Sequence, residues 1–367
     1  MQIARALLAA GLVFGSPLVL SLFAADQAVT ARVAAEIQRI EEAGKKAGPS
    51  DSALAGTVSA AQNSLKSAGD ALKSEQLYLT LERLVQATDL SEGVGELASM
   101  GGTVTDMTAF EAEWGKTSRE IATLSGHVRA RNWGRSPAAI RALSEAAIGR
   151  SVPLLDGGRG FAVAMGPKDG LFYLGEARGQ AKFADFCGSI PLVRKKSAWA
   201  ARSLLPELLA LQTKADAAFQ PPRSIEQHPR FIALNSTIKL ARELDSTKSY
   251  NGSLYQYLEA VRHFAMLDAA PVETARQASL KAAIQAEMAK LTASARDDSI
   301  PQLFLQRAAA QTAHPDGSAP SADEWRSAQV ILSEVLPAYA AAMKTAPSLT
   351  RTGGKTVDVT LVRWPYT

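Results

Sequence analysis

Four histidines, His127, His228, His263 and His314, are the first candidates for metal or acid–base chemistry. None stands in an H-E-x-x-H or E-x-x-H spacing, which would aim two ligands from one helix at one ion. Glu259 and His263 are four apart and share a helix face. A metal centre needs three or four ligands, so the two read as a surface or half-buried pair. The expected metal and cofactor complement is none. His228 and His314 each precede a proline and read as solvated loop residues. The single cysteine, Cys187, follows Phe183 and Phe186 and reads as a buried, inert thiol. Charged residues inside a glycine-rich stretch offer a different chemistry, that of a binding loop. Segment 151–170 holds Pro153, Gly157, Gly158, Gly160, Gly166, Pro167 and Gly170, and reads as the longest loop of the chain. Long ordered loops concentrate function, so Asp156, Arg159 and Asp169 are the candidate binding residues.

Two motif-like groupings fail on context. Gly353-Gly354-Lys355-Thr356 resembles the end of a phosphate-binding P-loop, but Leu349 stands where the first glycine belongs. It also precedes a strand pattern, whereas a P-loop must open a helix so that backbone N–H groups face the phosphates. Ser236-x-x-Lys239, Ser249-x-Asn251 and Arg351-Thr352-Gly353 resemble the serine acyl-transferase set of penicillin-binding proteins and β-lactamases. That resemblance would make Ser236 a nucleophile activated by Lys239. The spacing between the first two elements is too short for the family's helical subdomain, and the chain has no multi-stranded sheet pattern. A Gly-x-Ser-x-Gly elbow is absent.

Cations cluster twice. Arg129, Arg131, Arg135, Arg141, Arg150 and Arg159 bracket Trp133, and Arg194-Lys195-Lys196 precede Trp199. Such patches can attract anionic headgroups, glycans or phosphate esters. Interspersed acids and a near-balanced charge make them read as solvated helix faces.

The elements that must position these residues are helices. Apolar residues recur at steps of three, four and seven along Val29–Val33–Ile37–Ile40, Ala61–Leu65–Ala68–Leu72 and Leu77–Leu81–Leu84–Val85. The same steps join Phe231–Leu234–Ile238–Ala241, Leu254–Leu258–Val261–Ala265 and Leu280–Ile284–Met288–Leu291. Ser136-Pro137 reads as an N-cap followed by a first-turn proline. Ser321 and Glu324 form a capping box ahead of a helix bearing Trp325, Leu332, Leu336 and Tyr339, which Pro337 should kink. Further loops are expected at 220–229 and 313–320. One segment alternates: Val357, Val359 and Leu361 against Asp358 and Thr360, a strand at 355–364. A lone strand needs a partner, and 161–165 is the candidate within the chain.

A faint repeat accompanies the helices. Leu77-Tyr78-x-x-Leu81-Glu82 and Leu254-Tyr255-x-x-Leu258-Glu259 share one pattern, each in the second helix of a predicted hairpin, 58–90 and 229–267. Tyr250, Leu254, Tyr257 and Ala260 make the second hairpin resemble a tetratricopeptide repeat, without that family's Trp-Leu-Gly opening or closing proline. The resemblance implies stacked hairpins with a concave peptide-binding face. Unrelated antiparallel helices packed through tyrosine and leucine give the same pattern.

The N-terminus carries Arg5, then an uncharged apolar run to Ala25, ended by small residues before Asp26. This matches a secretory signal peptide at 1–25, cut after Ala24 or Ala25; the rival reading is an uncleaved membrane anchor. Loss of Arg5 leaves a net charge of about +3, too weak a bias for a nucleic-acid binder. The expected protein is therefore all-α, built from antiparallel helical hairpins of the kind that make tetratricopeptide-like or α-solenoid bodies, with a short C-terminal β-strand. Its body is expected at 26–350, with a division near 220–229, and its tail at 351–367. Its expected role is that of an exported, periplasmic or extracellular, non-catalytic protein binding a protein or cell-envelope partner. The alternative is an envelope hydrolase or transferase with its site near 151–170. The third reading is a membrane-anchored structural protein, the one case in which membrane contact is expected.

Overall fold

The computed structural model describes residues 27–36, 38, 42, 52–192, 201–220 and 225–344. Its regular elements are helices, and no strand occurs among the described residues. Residues 27–36 are helical and bury Val29 and Val33. Then follow α1 (Ser52–Lys73), α2 (Leu77–Met100), α3 (Met107–Ala130), α4 (Ala138–Met165), α5 (Pro167–Cys187) and α6 (Leu205–Ala218). The later elements are α7 (His228–Ser246), α8 (Tyr250–Asp268), α9 (Thr274–Ala293), α10 (Ser299–Thr312), α11 (Ala322–Val330) and α12 (Leu336–Lys344). The expected export segment, the strand at 355–364, Gly353–Thr356 and the Arg194–Trp199 patch lie outside the described residues.

The hairpins form as the periodicity predicts. α1 packs on α2, α4 on α5, α7 on α8 and α9 on α10. Helix α4 is central: it touches α2, α3 and α5 on one side and α7, α8 and α10 on the other. The largest buried apolar cluster runs from Val29 through α1, α2 and α4 to Ala342, joining early and late parts of the chain.

The turns α1–α2 and α7–α8 have one geometry. The helix ends on a residue with positive φ, Glu75 in one and Lys248 in the other. Gln76 N–H bonds Ala71 C=O at 2.9 Å, and Ser249 N–H bonds Leu244 C=O at 2.9 Å, the six-to-one closure of a Schellman turn.

Segment 151–170 is not a loop. It is the second half of α4, a turn at Gly166 with φ of 127°, and the start of α5. Its glycines serve helix packing. A Cβ at Gly170 would lie 2.6 Å from both the Gly158 carbonyl oxygen and the Phe110 ring, so α4 and α5 meet backbone to backbone. Gly175 and Gly179, one turn apart, do the same for α5 on α2, against the backbone of Glu92 and of Thr88–Asp89. Pro153 sits inside α4, which would cost an isolated helix about 3 kcal/mol; packing on α5 outweighs it. The proposed strand partner 161–165 is likewise helical. His228, expected in a loop, opens α7 with Pro229 in its first turn. Segment 313–320 is irregular, as expected. The interruption that Pro337 imposes takes the form of a π turn over Ile331–Val335, which loosens the ladder where proline offers no N–H.

Several helix starts are capped from far away in sequence. Ser136 does not cap α4. Instead Asp297 Oδ2 accepts from Ala138 N–H at 2.8 Å and Ser299 Oγ from Ala139 N–H at 2.9 Å. Glu145 accepts from Gly252 N–H in α8 at 2.7 Å, Gln306 from Leu79 N–H in α2 at 3.0 Å, and Asp245 from Leu204 N–H at 2.8 Å. Only α3 and α11 carry a local side-chain cap among the α-helices whose caps are described: Asp106, and the expected Ser321–Glu324 box.

Candidate functional site

The two glutamates of the faint repeat meet on one arginine. Helix α2 presents Glu82, α8 presents Glu259, and Arg307 of α10 reaches both. Arg307 Nε donates to Glu82 Oε2 at 3.1 Å, and its Nη2 lies 2.5 Å from Glu259 Oε1. Tyr255, the tyrosine of the second motif, donates its hydroxyl to Glu82 at 2.5 Å. Arg262 Nε closes on Glu259 Oε2 at 3.0 Å. Burial pushes Glu259 toward its neutral form, but Arg307 and Arg262 outweigh that and hold its carboxyl well below the usual range. Burial likewise disfavours the charged Arg307, and Glu259 with Glu82 more than offset it.

This ionic knot forms one wall of a polar cavity of about 480 Å3. Leu143, Ala146, Ala147 and Arg150 of α4 line another side; Asp89 of α2, Gln180 of α5, Gln256 and His263 of α8, and Gln311 of α10 add polar groups, as do Arg83, Gln86 and Thr237. Gln256 is 1% exposed and Gln180 2% exposed. Gln256 Nε2, Gln180 Oε1, Asp89 Oδ1 and Gln311 Oε1 are buried atoms with no hydrogen-bond partner. Buried polar atoms are nearly always paired with protein or ordered water, so their concentration here sets the cavity apart. Arg150 makes no hydrogen bond or ion pair with the described residues, although it lies near enough to Asp89 to favour that carboxylate's charged form.

Titration sorts the groups. Burial, then Glu176, raise Asp89 well above the usual carboxylate range. Burial pushes Glu176, one turn before Gln180 on α5, up to about 7. His263 is pushed down to about 4 by burial and then by Arg262, so it is neutral at neutral pH. The expected half-buried Glu259–His263 pair is thus part of a larger polar group. Among the described residues no cluster of three His, Cys, Asp or Glu side chains could hold a metal ion.

The residues singled out from sequence lie elsewhere. Asp156 and Asp169 are exposed, on α4 and in the first turn of α5. Arg159 bonds Glu111 at 2.7 Å and lies over the Trp114 ring at 5.1 Å. Ser236 and Lys239 are on the solvent side of α7, with Lys239 paired to Glu243 at 3.9 Å. Cys187 is buried, and desolvation pushes its thiol far up. Among the cations around Trp133, Arg131 pairs with Asp185 at 3.1 Å, Arg141 with Glu145 at 2.6 Å and Arg159 with Glu111. Asp89, Gln180, Gln256, Arg307 and Gln311 escaped the sequence reading. Their signal was register: Arg307 falls three and four residues after the buried Phe304 and Leu303, where an apolar side chain is expected.

Comparison with known proteins finds no matching family model, no similar curated protein and no similar solved structure. No helix among the described residues is long and apolar enough to cross a membrane.

Proposed function

We propose that this chain is an exported helical binding protein that captures a small polar ligand, free or as part of an envelope component, in the cavity beside Arg307. The signal-like segment 1–25 supports export. The observation that carries the binding reading is Gln256: an amide almost wholly removed from solvent, with an unpartnered N–H side, in the wall of a cavity. Desolvating such a group without a partner costs about 1–3 kcal/mol, an expense that a ligand's acceptor would relieve. The cavity volume falls within the roughly 300–1,000 Å3 usual for small-molecule sites. The shared motif and matching turns of α1–α2 and α7–α8 support a repeat-built body whose inner surface, not an outer concave face, does the binding.

A second reading, an envelope enzyme, is favoured by Asp89. A carboxyl that holds its proton at unusually high pH beside a polar cavity has the chemistry of a general acid. Its site would then be this cavity and not 151–170.

Thermal-shift screening of small polar compounds checks the binding reading. The parent protein should melt higher with at least one compound, and Gln256→Leu should fold yet lose that response. Equal responses in parent and variant would place the ligand elsewhere. Conversion of the bound compound, abolished by Asp89→Asn, would favour the enzyme.

A further inference from the structure

Resting on the cavity as a ligand site, we propose that its ligand is a small organic carboxylate, gripped by Arg150 and Gln256. The charges decide this. Four arginines line the cavity against three carboxylates, and His263 adds no charge at neutral pH. Glu82 and Glu259 are already consumed by Arg307 and Arg262. Arg83 turns one nitrogen to the Ser67 carbonyl at 2.9 Å. Arg150 alone among the lining arginines has no bonded partner among the described residues. Its guanidinium is half-buried on α4, with five N–H donors in a planar fork that matches a carboxylate edge to edge.

The neighbours favour an anion over other ligands. A cation would meet Arg83, Arg150 and Arg262. A neutral sugar is usually held by an aromatic face and free carboxylates, whereas the one aromatic ring here, Tyr255, has its hydroxyl committed to Glu82. A phosphate dianion would bring two charges to one unpaired guanidinium. A single carboxylate balances it, and the Gln256 amide supplies a neutral donor alongside.

The test uses matched probes on the whole purified chain: gluconate, lactate and pyruvate as carboxylates, glucose and lactamide as neutral counterparts, glucosamine as a cation, and inorganic phosphate. Calorimetric titration should show binding by at least one carboxylate, no binding by its neutral counterpart, and loss of about tenfold or more in affinity with Arg150→Gln. Arg150→Lys should recover part of that loss, because charge remains without the fork. Glucose, lactamide or phosphate binding in place of the carboxylates, with sensitivity to Gln256→Leu, would overturn the carboxylate and leave the cavity as a site. Binding by none of the seven would overturn both.

Discussion

Two arginines in this molecule, Arg178 buried and Arg307 largely so, do the same job with opposite surroundings. Arg178 of α5 gathers Glu96 of α2 with Glu113, Thr117 and Glu120 of α3; its Nη2 bonds lie at 3.0 Å to Glu113 and 2.7 Å to Thr117. Arg307 gathers Glu82 and Glu259 from α2 and α8. Each ties helices together through desolvated ion pairs, and each would be called a structural lock if seen alone. Around Arg178 the helices close tightly, with Gly175 against α2. Around Arg307 they stand apart, and glutamine and arginine side chains face the gap. Buried charge does not separate the two regions, and neither do unpartnered atoms, since Glu96 Oε1 beside Arg178 is one as well; the open polar cavity beside Arg307 does.

The comparison breaks most readily at the arginines. Arg307→Met leaves Glu82 with only the Tyr255 hydroxyl and Glu259 with only Arg262, and should cost about 3 kcal/mol in urea unfolding. Arg178→Met should cost a similar amount. Only the first should abolish ligand response, and a folded Arg307→Met protein that still binds would dissolve the distinction. If that variant does not fold, Glu82→Leu/Glu259→Leu/Arg307→Met supplies the measurement, since an apolar replacement of the whole knot is tolerated better than half of it.

A smaller effect belongs to the closed region. A Cβ at Gly175 would overlap the Glu92 carbonyl oxygen, so Gly175→Ala should destabilise by about 1–3 kcal/mol. Gly157 has nothing within 4 Å of the same atom and sits in a helix. Gly157→Ala should therefore stabilise by about 0.5–1 kcal/mol. Destabilisation at Gly157 would mean that the 151–170 stretch needs its glycines for something other than packing.

The smallest effect is on pH dependence. Glu176 has its folded value raised to about 7 against an ordinary 4.5. Its contribution to stability is complete below about pH 4.5 and is lost as pH rises through 7. Glu176→Gln removes that loss, so the variant should melt above the parent at pH 8 and lose the advantage by pH 4.5. The group is partly exposed, and solvent screening keeps the difference modest. Parallel melting curves across that range would contradict the burial that raises it.

Much of the architecture could be read directly, because apolar stripes such as Ala61–Leu65–Ala68 and Leu254–Leu258 report burial by spacing alone. Glycine misled where its local and tertiary meanings diverge. Gly157, Gly158 and Gly170 look like turn formers, yet Gly158 and Gly170 exist so that two helices can touch. Helix starts misled for a related reason: α4 takes its caps from Asp297 and Ser299, and no window around Ser136 contains them. The site was half visible. Its glutamates were caught as a repeat, but Arg307 joins them only in space, 225 residues beyond Glu82 and 48 beyond Glu259.

That remote capping has a consequence for how the molecule comes into being. A ribosome or a translocation channel delivers α4 long before Asp297 and Ser299 arrive, so the central helix must wait, its first amides wet, for the last third of the polypeptide. Contacts across such separations slow folding, and they make completion of the middle contingent on completion of the end. A chain cut short before residue 297 would present a frayed centre, a ready mark by which quality-control proteases could tell unfinished copies from finished ones.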